Sequence, residues 1–356
     1  MDNKLLDLYT DYLISQNGLA SATGLSEVLE GEVSHDKITR FLNLGSNGSK
    51  ELWDEVKPTV RKYENISGVL MIDDTIEEKP YSQENEIIAW HYSHAKGIHV
   101  KGVNLLSCMV RYEELSLPVC YEVIHKDLKY FCEEENKWRR RASITKNEHF
   151  RNQLRQCAKN EILYKYILTD NWFGSKENLE MIHYELKKYF IIGIKANRTA
   201  ALSYSEKLSG HFHKVSELNL REGQLAKIYL KGIEFPMLLM KKVFTNENGS
   251  EGVLYLITND LELQYDPMYE IYKKRWRIEE YHKSIKQNTN LAKSPTKTVR
   301  SQSNHIFASI VSFVKLEKMR TASALNHFAL KYKILLKANQ TAFLELQKFK
   351  KLYAFA

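Results

Sequence analysis

The order of apolar runs constrains this chain most. Gly68-Val-Leu-Met-Ile72 reads as a strand that runs straight into Asp73-Asp74-Thr75. Further strands are expected near residues 87–92, 103–111 and 117–124, the last two joined through Glu113-Glu114 as an antiparallel hairpin. A basic helix over about residues 146–160 leads to a strand at Tyr166-Ile-Leu-Thr169, which ends at Asp170. A helix over about 175–188 and a strand at Tyr189-Phe-Ile-Ile-Gly-Ile194 complete the run. Antiparallel-capable strands followed by helix, strand, helix, strand match a mixed α/β sheet with helices on its faces.

Helical segments flank this core. Leu5, Leu6, Leu8, Tyr9 and Leu13 form an apolar stripe. A short helix around 25–29, a turn at Glu30-Gly31-Glu32 and a helix capped by Ser34 outline a helix-turn-helix, with His35, Lys37, Thr39 and Arg40 available to a groove. Helical hairpins that bind nothing share that outline. Between 195 and 260 the texture changes to short β-like runs at 226–230, 233–243 and 252–258, broken by turn signals at Lys231-Gly232 and Asn246-Glu-Asn-Gly249. After Arg300, Ile306, Ile310, Phe313 and Leu316 recur at helical spacing. The expected organisation is a helical region over 1–66, a core from 67–195 and 261–300, a β-rich insertion over 196–260 and a helical region over 301–356.

Residues 272–286 read YKKRWRIEEYHKSIK. In a helix, Tyr272, Arg275, Glu279 and Lys286 fall in one narrow sector, and Ile271, Ile278, Tyr281 and Ile285 on an adjoining one. Such a helix packs one side and presents a carboxylate among cations, which suits a metal ion working on a phosphate chain. The net charge of the 356 residues is +8, and it is uneven: residues 271–300 hold nine Lys or Arg against Glu279 and Glu280. That patch points to nucleic acid, with a solvated basic helix as the plain alternative. Cys108, Cys120, Cys132 and Cys157 show no CxxC spacing, so neither disulfides nor a zinc site is expected. The first two read as buried thiols. No secretory signal is expected at the N-terminus, and no stretch is apolar and long enough to span a bilayer.

Asp73 (or Asp74) and Asp170 are expected at strand tips, where side chains leave a sheet and converge on ligands. Glu279 is the third acid. A lone Asp at a strand end is commonly a cap. Three carboxylates without paired His or Cys favour Mg²⁺ or Mn²⁺ over zinc. Two such ions suit in-line phosphodiester displacement. His91, His94 and His99, in strand and loop, are not expected to be ligands.

These residues resemble a family. Tyr272-x2-Arg275-x3-Glu279-x6-Lys286 is similar to the Y-R-E-K signature of the bacterial DDE transposases of the insertion sequence four group. Asp73-Asp74-Thr75 resembles that family's first acidic motif, and Asp170-Asn-Trp-Phe173 its second, an Asp followed by aromatics. The resemblance covers about residues 65–320. It implies an RNase H-like core, divalent metal held by Asp73, Asp170 and Glu279, and cut-and-paste cleavage and strand transfer at the ends of a mobile element. Tyr272, Arg275 and Lys286 would contact phosphates of double-stranded DNA at terminal repeats. Lys195 and Arg198 are candidates for further backbone phosphate contacts or for a solvated strand end. Trp276 stacks on an unpaired base or packs in the core. The resemblance further implies a dimeric synaptic complex in the bacterial cytoplasm, at the nucleoid. The rival readings are a structure-selective nuclease on the same fold and a non-catalytic DNA-binding protein derived from a transposase.

Overall fold

In the computed structural model, residues 2–94, 96–245 and 249–353 are described. Four helices open the chain: α1 (Asn3–Ser15), α2 (Ala22–Val28), α3 (His35–Asn43) and α4 (Ser49–Tyr63). Ser34 caps α3 by accepting from the Lys37 amide, and Gly31 supplies the left-handed turn before it at φ +81°. Ile38, Phe41 and Leu42 point inward from α3, while His35, Lys37, Thr39 and Arg40 are exposed.

Six strands follow: β1 (Val69–Glu78), β2 (Ala89–Ser93), β3 (Ile98–Tyr112), β4 (Leu115–Val123), β5 (Leu128–Cys132) and β6 (Lys137–Arg141). Next come α5 (Lys146–Lys159), β7 (Tyr166–Thr169), a 3₁₀ turn (Asn171–Phe173), α6 (Lys176–Glu180), a wide turn (Met181–Glu185) and β8 (Tyr189–Ile194). The expected helix over 175–188 is thus a short α-helix that widens into a π turn. Thr145 and Glu148 form the reciprocal cap that starts α5.

β1 pairs antiparallel with β3 and parallel with β7, β7 pairs parallel with β8, and β4 pairs with β3. The order β4-β3-β1-β7-β8, with α5 packed on β3 and β4, is an RNase H-like core. Gly102 of β3 crosses Glu77 so closely that a Cβ there would sit 2.2 Å from the Glu77 carbonyl oxygen.

The segment after β8 holds β9 (Thr199–Ala201), α7 (Tyr204–Ser209), β10 (His213–Lys214), β11 (Leu225–Leu230), β12 (Met237–Thr245) and β13 (Glu251–Thr258). These strands extend the same sheet, because β13 pairs antiparallel with β8. Gly232 turns at φ +84° as its dipeptide suggested. The turn signal at 246–248 lies outside the described residues.

The chain ends with α8 (Tyr265–Lys273), α9 (Trp276–Asn288), α10 (Val299–Ser323) and α11 (His327–Leu352). α10 is buried along much of its length, and α1, α3, α4, α9 and β4 pack on it. Tyr9 and the His305 ring share a hydrogen bond of 2.9 Å, and Asn304 donates to the Leu42 carbonyl at 2.8 Å. The N-terminal helices therefore share the core with the C-terminal ones. Cys108, Cys120 and Cys157 are free and buried where α5 meets β3 and β4, with sulfurs 3.7 and 4.0 Å apart. No helix among the described residues is long and apolar enough to cross a membrane.

Candidate active site

Two expectations need correction. Asp73 does not sit at a strand tip. β3 is long enough to keep pairing β1 as far as Glu78, so Asp73 lies within the strand. Its opening comes from the other side: β7 pairs β1 only as far as Met71, and Thr169 makes a last contact by donating to the Ile72 carbonyl at 2.9 Å. β7 then turns away at Asp170. The second correction concerns residues 272–286, which are not one continuous helix. α8 ends at Lys273, and the amides of Arg275, Arg277 and Ile278 bond three residues back instead of four. The run Lys273-Lys274-Arg275-Trp276-Arg277 sets like charges at i,i+4, which disfavours a regular turn there.

This tight joint sends Arg275 across the site. Its guanidinium donates to Asp73 Oδ2 at 3.2 Å and to Glu279 Oε1 at 2.6 Å. One cation thus links an acid of β1 to an acid of α9. Ile278, Tyr281 and Ile285 are buried and fix α9 as their spacing suggested. Asp170 caps the 3₁₀ turn by accepting from the Trp172 amide at 3.0 Å. Phe173 anchors that turn, buried and stacked on Phe150 at 5.0 Å.

The electrostatics show Asp73, Asp74 and Asp170 close enough to repel one another. Burial, then the Asp170 and Asp74 carboxylates, push Asp73 up to about 7, against the pull of Arg275. Asp170 is also raised, mainly by burial, although the Trp172 amide and Arg275 oppose it. Asp74 has other partners: Lys146 Nζ lies 3.0 Å from both its oxygens, and Asn104 donates to it at 2.7 Å. Among the described residues the side chains that gather three ligand atoms, within 4.8 Å of one another, are Cys108, Cys120 and Cys157, and the three acids form no such set. Arg275 takes the place between Asp73 and Glu279 that a bound cation would fill. The donor set is all oxygen and half-buried, with Arg275 and Lys146 as the cations beside it, and carboxylates of this kind fit a hard divalent ion.

The remaining candidates surround these acids. Tyr272 is buried beneath Arg275, its ring 5.7 Å from the guanidinium carbon, with burial raising its hydroxyl pKa. Lys286 donates to the Ile76 carbonyl at 2.6 Å and lies 3.9 Å from Glu77. Lys195 is exposed, and Arg198 donates to the Gly174 carbonyl at 3.0 Å. Both line a cleft of about 220 Å³ with Asn171, Trp172 and Ser175. Trp276 is 60% exposed, which excludes core packing. It lines a cavity of about 480 Å³ with Glu279, Lys283 and Phe328. His91 is buried with an unpartnered Nε2, and burial with Lys126 and Lys146 lowers it to about 3. His94 and His99 instead flank the Tyr92 ring.

Sequence reasoning missed Lys146 and Trp172 as parts of this site. The Lys146 ammonium lies 4.9 Å from the Trp172 ring centre, and His94 lies 5.5 Å from it on another side. The aromatic run after Asp170 was the available signal for Trp172. Nothing local marks Lys146, whose partner Asp74 lies far away in the chain.

An RNase H-like sheet with Asp73 near Asp170, and with Glu279 tied to Asp73 through Arg275, fits a phosphodiester-cleaving class of protein. The chain belongs to the DDE superfamily endonuclease family, whose model matches residues 2–211. A model of the transposase DDE domain matches residues 139–314. The first match holds Asp73 and Asp170, and the second Asp170 and Glu279. No curated protein matches the chain.

Proposed function

We propose that this protein is a DNA transposase of the insertion sequence four type, cleaving strands at the ends of a mobile element and transferring them into target DNA. Asp73, Asp170 and Glu279 are the carboxylates for Mg²⁺ or Mn²⁺, as two ions. The observation that carries this reading is the Arg275 bridge between Asp73 and Glu279, beside Asp170. Divalent cations, when bound, activate water or a 3′-hydroxyl and stabilise the leaving oxygen.

The chain's own residues supply the rest. Lys146 keeps Asp74 engaged, which leaves Asp73 as the first metal-holding acid. Arg275, released from the acids, offers a planar fork to a phosphate. Tyr272 positions it from below. Lys195, Arg198 and Lys286 offer cations to the backbone of duplex DNA. Trp276 and the uncovered part of Trp172 offer ring surface to an unpaired base. The exposed side of α3 offers His35, Lys37, Thr39 and Arg40 to a groove. Joining two ends calls for two copies in a synaptic complex, at the nucleoid of a bacterial cytoplasm.

The test uses duplexes from the inverted repeats that bracket the gene, with Mg²⁺. Wild-type protein is expected to nick and join them, and Asp170→Asn to bind them without cleaving. Nicking without joining would replace the transposase reading with a nuclease. A wild-type protein that binds but never cleaves would leave a DNA-binding protein only.

A further inference from the structure

We propose that the β5–β6 hairpin is a ribbon that grips duplex DNA as it enters the active site; this rests on the DNA reading above. Its position comes first. Val123, the last residue of β4, pairs with Leu105, and Leu105 pairs with Thr75, two residues past Asp73. The chain therefore leaves the sheet at the catalytic end. Both legs are pinned there. On the outgoing leg, Lys126 Nζ donates to the Trp90 carbonyl at 2.6 Å. On the returning leg, the Ser143 amide donates to Asp127 at 2.9 Å, and Lys146 holds Asp74. Arg140 ties the stem down, donating to the Lys126 carbonyl at 3.2 Å and lying 3.7 Å from Glu84.

Above this base no residue of either strand is buried. The rungs are Leu128–Arg141, Lys129–Arg140, Tyr130–Arg139, Phe131–Trp138 and Cys132–Lys137. Arg141 lies 5.6 Å from the Tyr130 ring, and Phe131 meets Trp138 edge-on at 5.6 Å. Trp138 is nonetheless 69% exposed and Phe131 45%. A two-stranded hairpin with uncovered rings is marginal in water. Chemistry that covers it must take cations and flat apolar faces together. Duplex DNA does so, and a two-stranded ribbon fits its major groove. The charge is graded along the hairpin. Lys129, Arg140 and Arg141 sit at the stem, while Glu133, Glu134 and Glu135 crowd the turn. The stem, nearest the catalytic acids, is the part that meets phosphate, and the acidic turn projects past it. Glu135 holds Lys137 and Arg139 meanwhile.

The test measures binding of full-length protein to a 30-bp duplex without divalent metal, over a salt series, by fluorescence anisotropy. Combined Lys129→Ala, Arg139→Ala and Arg141→Ala should weaken binding at least about tenfold at 0.1 M salt and flatten the salt slope by about two to three. Trp138→Ala should weaken it several-fold at an unchanged slope, and Trp138→Phe should restore most of the loss. Thermal transitions should match wild type, since nothing in the hairpin is buried. Should the triple variant lose its transition, the Trp138 pair carries the test alone. Wild-type affinity and slope in all variants would overturn the ribbon while leaving the DNA reading standing. Variants that lose self-association but bind DNA normally would overturn it too. A wild-type protein that binds no duplex at any salt would sink the DNA reading itself.

Discussion

Lys146 holds its ammonium 3.0 Å from each carboxylate oxygen of Asp74, while the neighbouring Asp73 faces Arg275 and Asp170. Adjacent acids on one strand point to opposite faces of the sheet, and these two have different partners. Asp73→Asn should abolish Mg²⁺-dependent nicking. Asp74→Asn should reduce it by about 10- to 100-fold, the usual cost of losing a residue that supports a metal site from behind. Gel assays on end duplexes measure both, and the opposite ranking would make Asp74 the metal-holding acid.

Arg275 predicts how metal and stability are linked. Without a divalent ion it is the cation that offsets Asp73 and Glu279. Arg275→Ala should melt earlier than wild type in EDTA, because the acids then repel unopposed. Added Mg²⁺ should raise its transition by more than it raises that of the wild type. Scanning fluorimetry reads the two increments, and equal increments would contradict a shared position for guanidinium and metal.

Glu317 of α10 predicts how stability responds to acid. Despite its burial, His327, Arg320 and the Ser116 amide hold its carboxyl down at about 2. A depressed acid stabilises the fold above its unfolded pKa, and that contribution fades as pH falls from about 4.5 towards 2. Glu317→Gln should cost about 3 kcal/mol at pH 7. It should also move the midpoint of acid unfolding to higher pH. Urea titrations at pH 7 and pH 3 check this, since the gap between variant and wild type should narrow at pH 3.

Trp172 gives its backbone amide to Asp170, and its ring is backed by Lys146. Trp172→Ala should weaken binding of end DNA with an unpaired base beside the cleavage site by about 1–3 kcal/mol. Trp172→Phe should keep part of that, and fully paired duplex should be less affected. Competition binding between the two substrates separates stacking from general loss, and an equal loss on both would remove the stacking role.

Much of this was legible in the sequence. β7 and β8 match their apolar runs to the residue, because strands covered on both faces read as unbroken hydrophobic segments. Ser34 and the helix at 146 announce themselves through local capping chemistry. The three acids stood out through their motifs. What stayed hidden is nonlocal or unburied. Asp73 and Arg275 are 202 positions apart, and no periodicity reports such a pairing. The insertion's entry into the main sheet depends on β13 meeting β8. The β5–β6 hairpin has no buried side, so its residues alternate without the apolar rhythm that marks a strand. The break at Lys274-Arg275 was masked because Ile278, Tyr281 and Ile285 keep helical spacing after it.

The dependence of α1 and α3 on α10 has a consequence in time. Tyr9, Leu13 and Phe41 leave the ribosome early, but the helix that covers them begins only at Val299. At about 5–20 residues per second, that interval is roughly 15–60 s. Throughout it the faces of the first helices that α10 covers lack that partner. A message cut short before α10 would therefore yield a nascent product with its beginning as well as its end unfinished. Early-stop fragments should be cleared by proteases and should not accumulate beside the full-length protein.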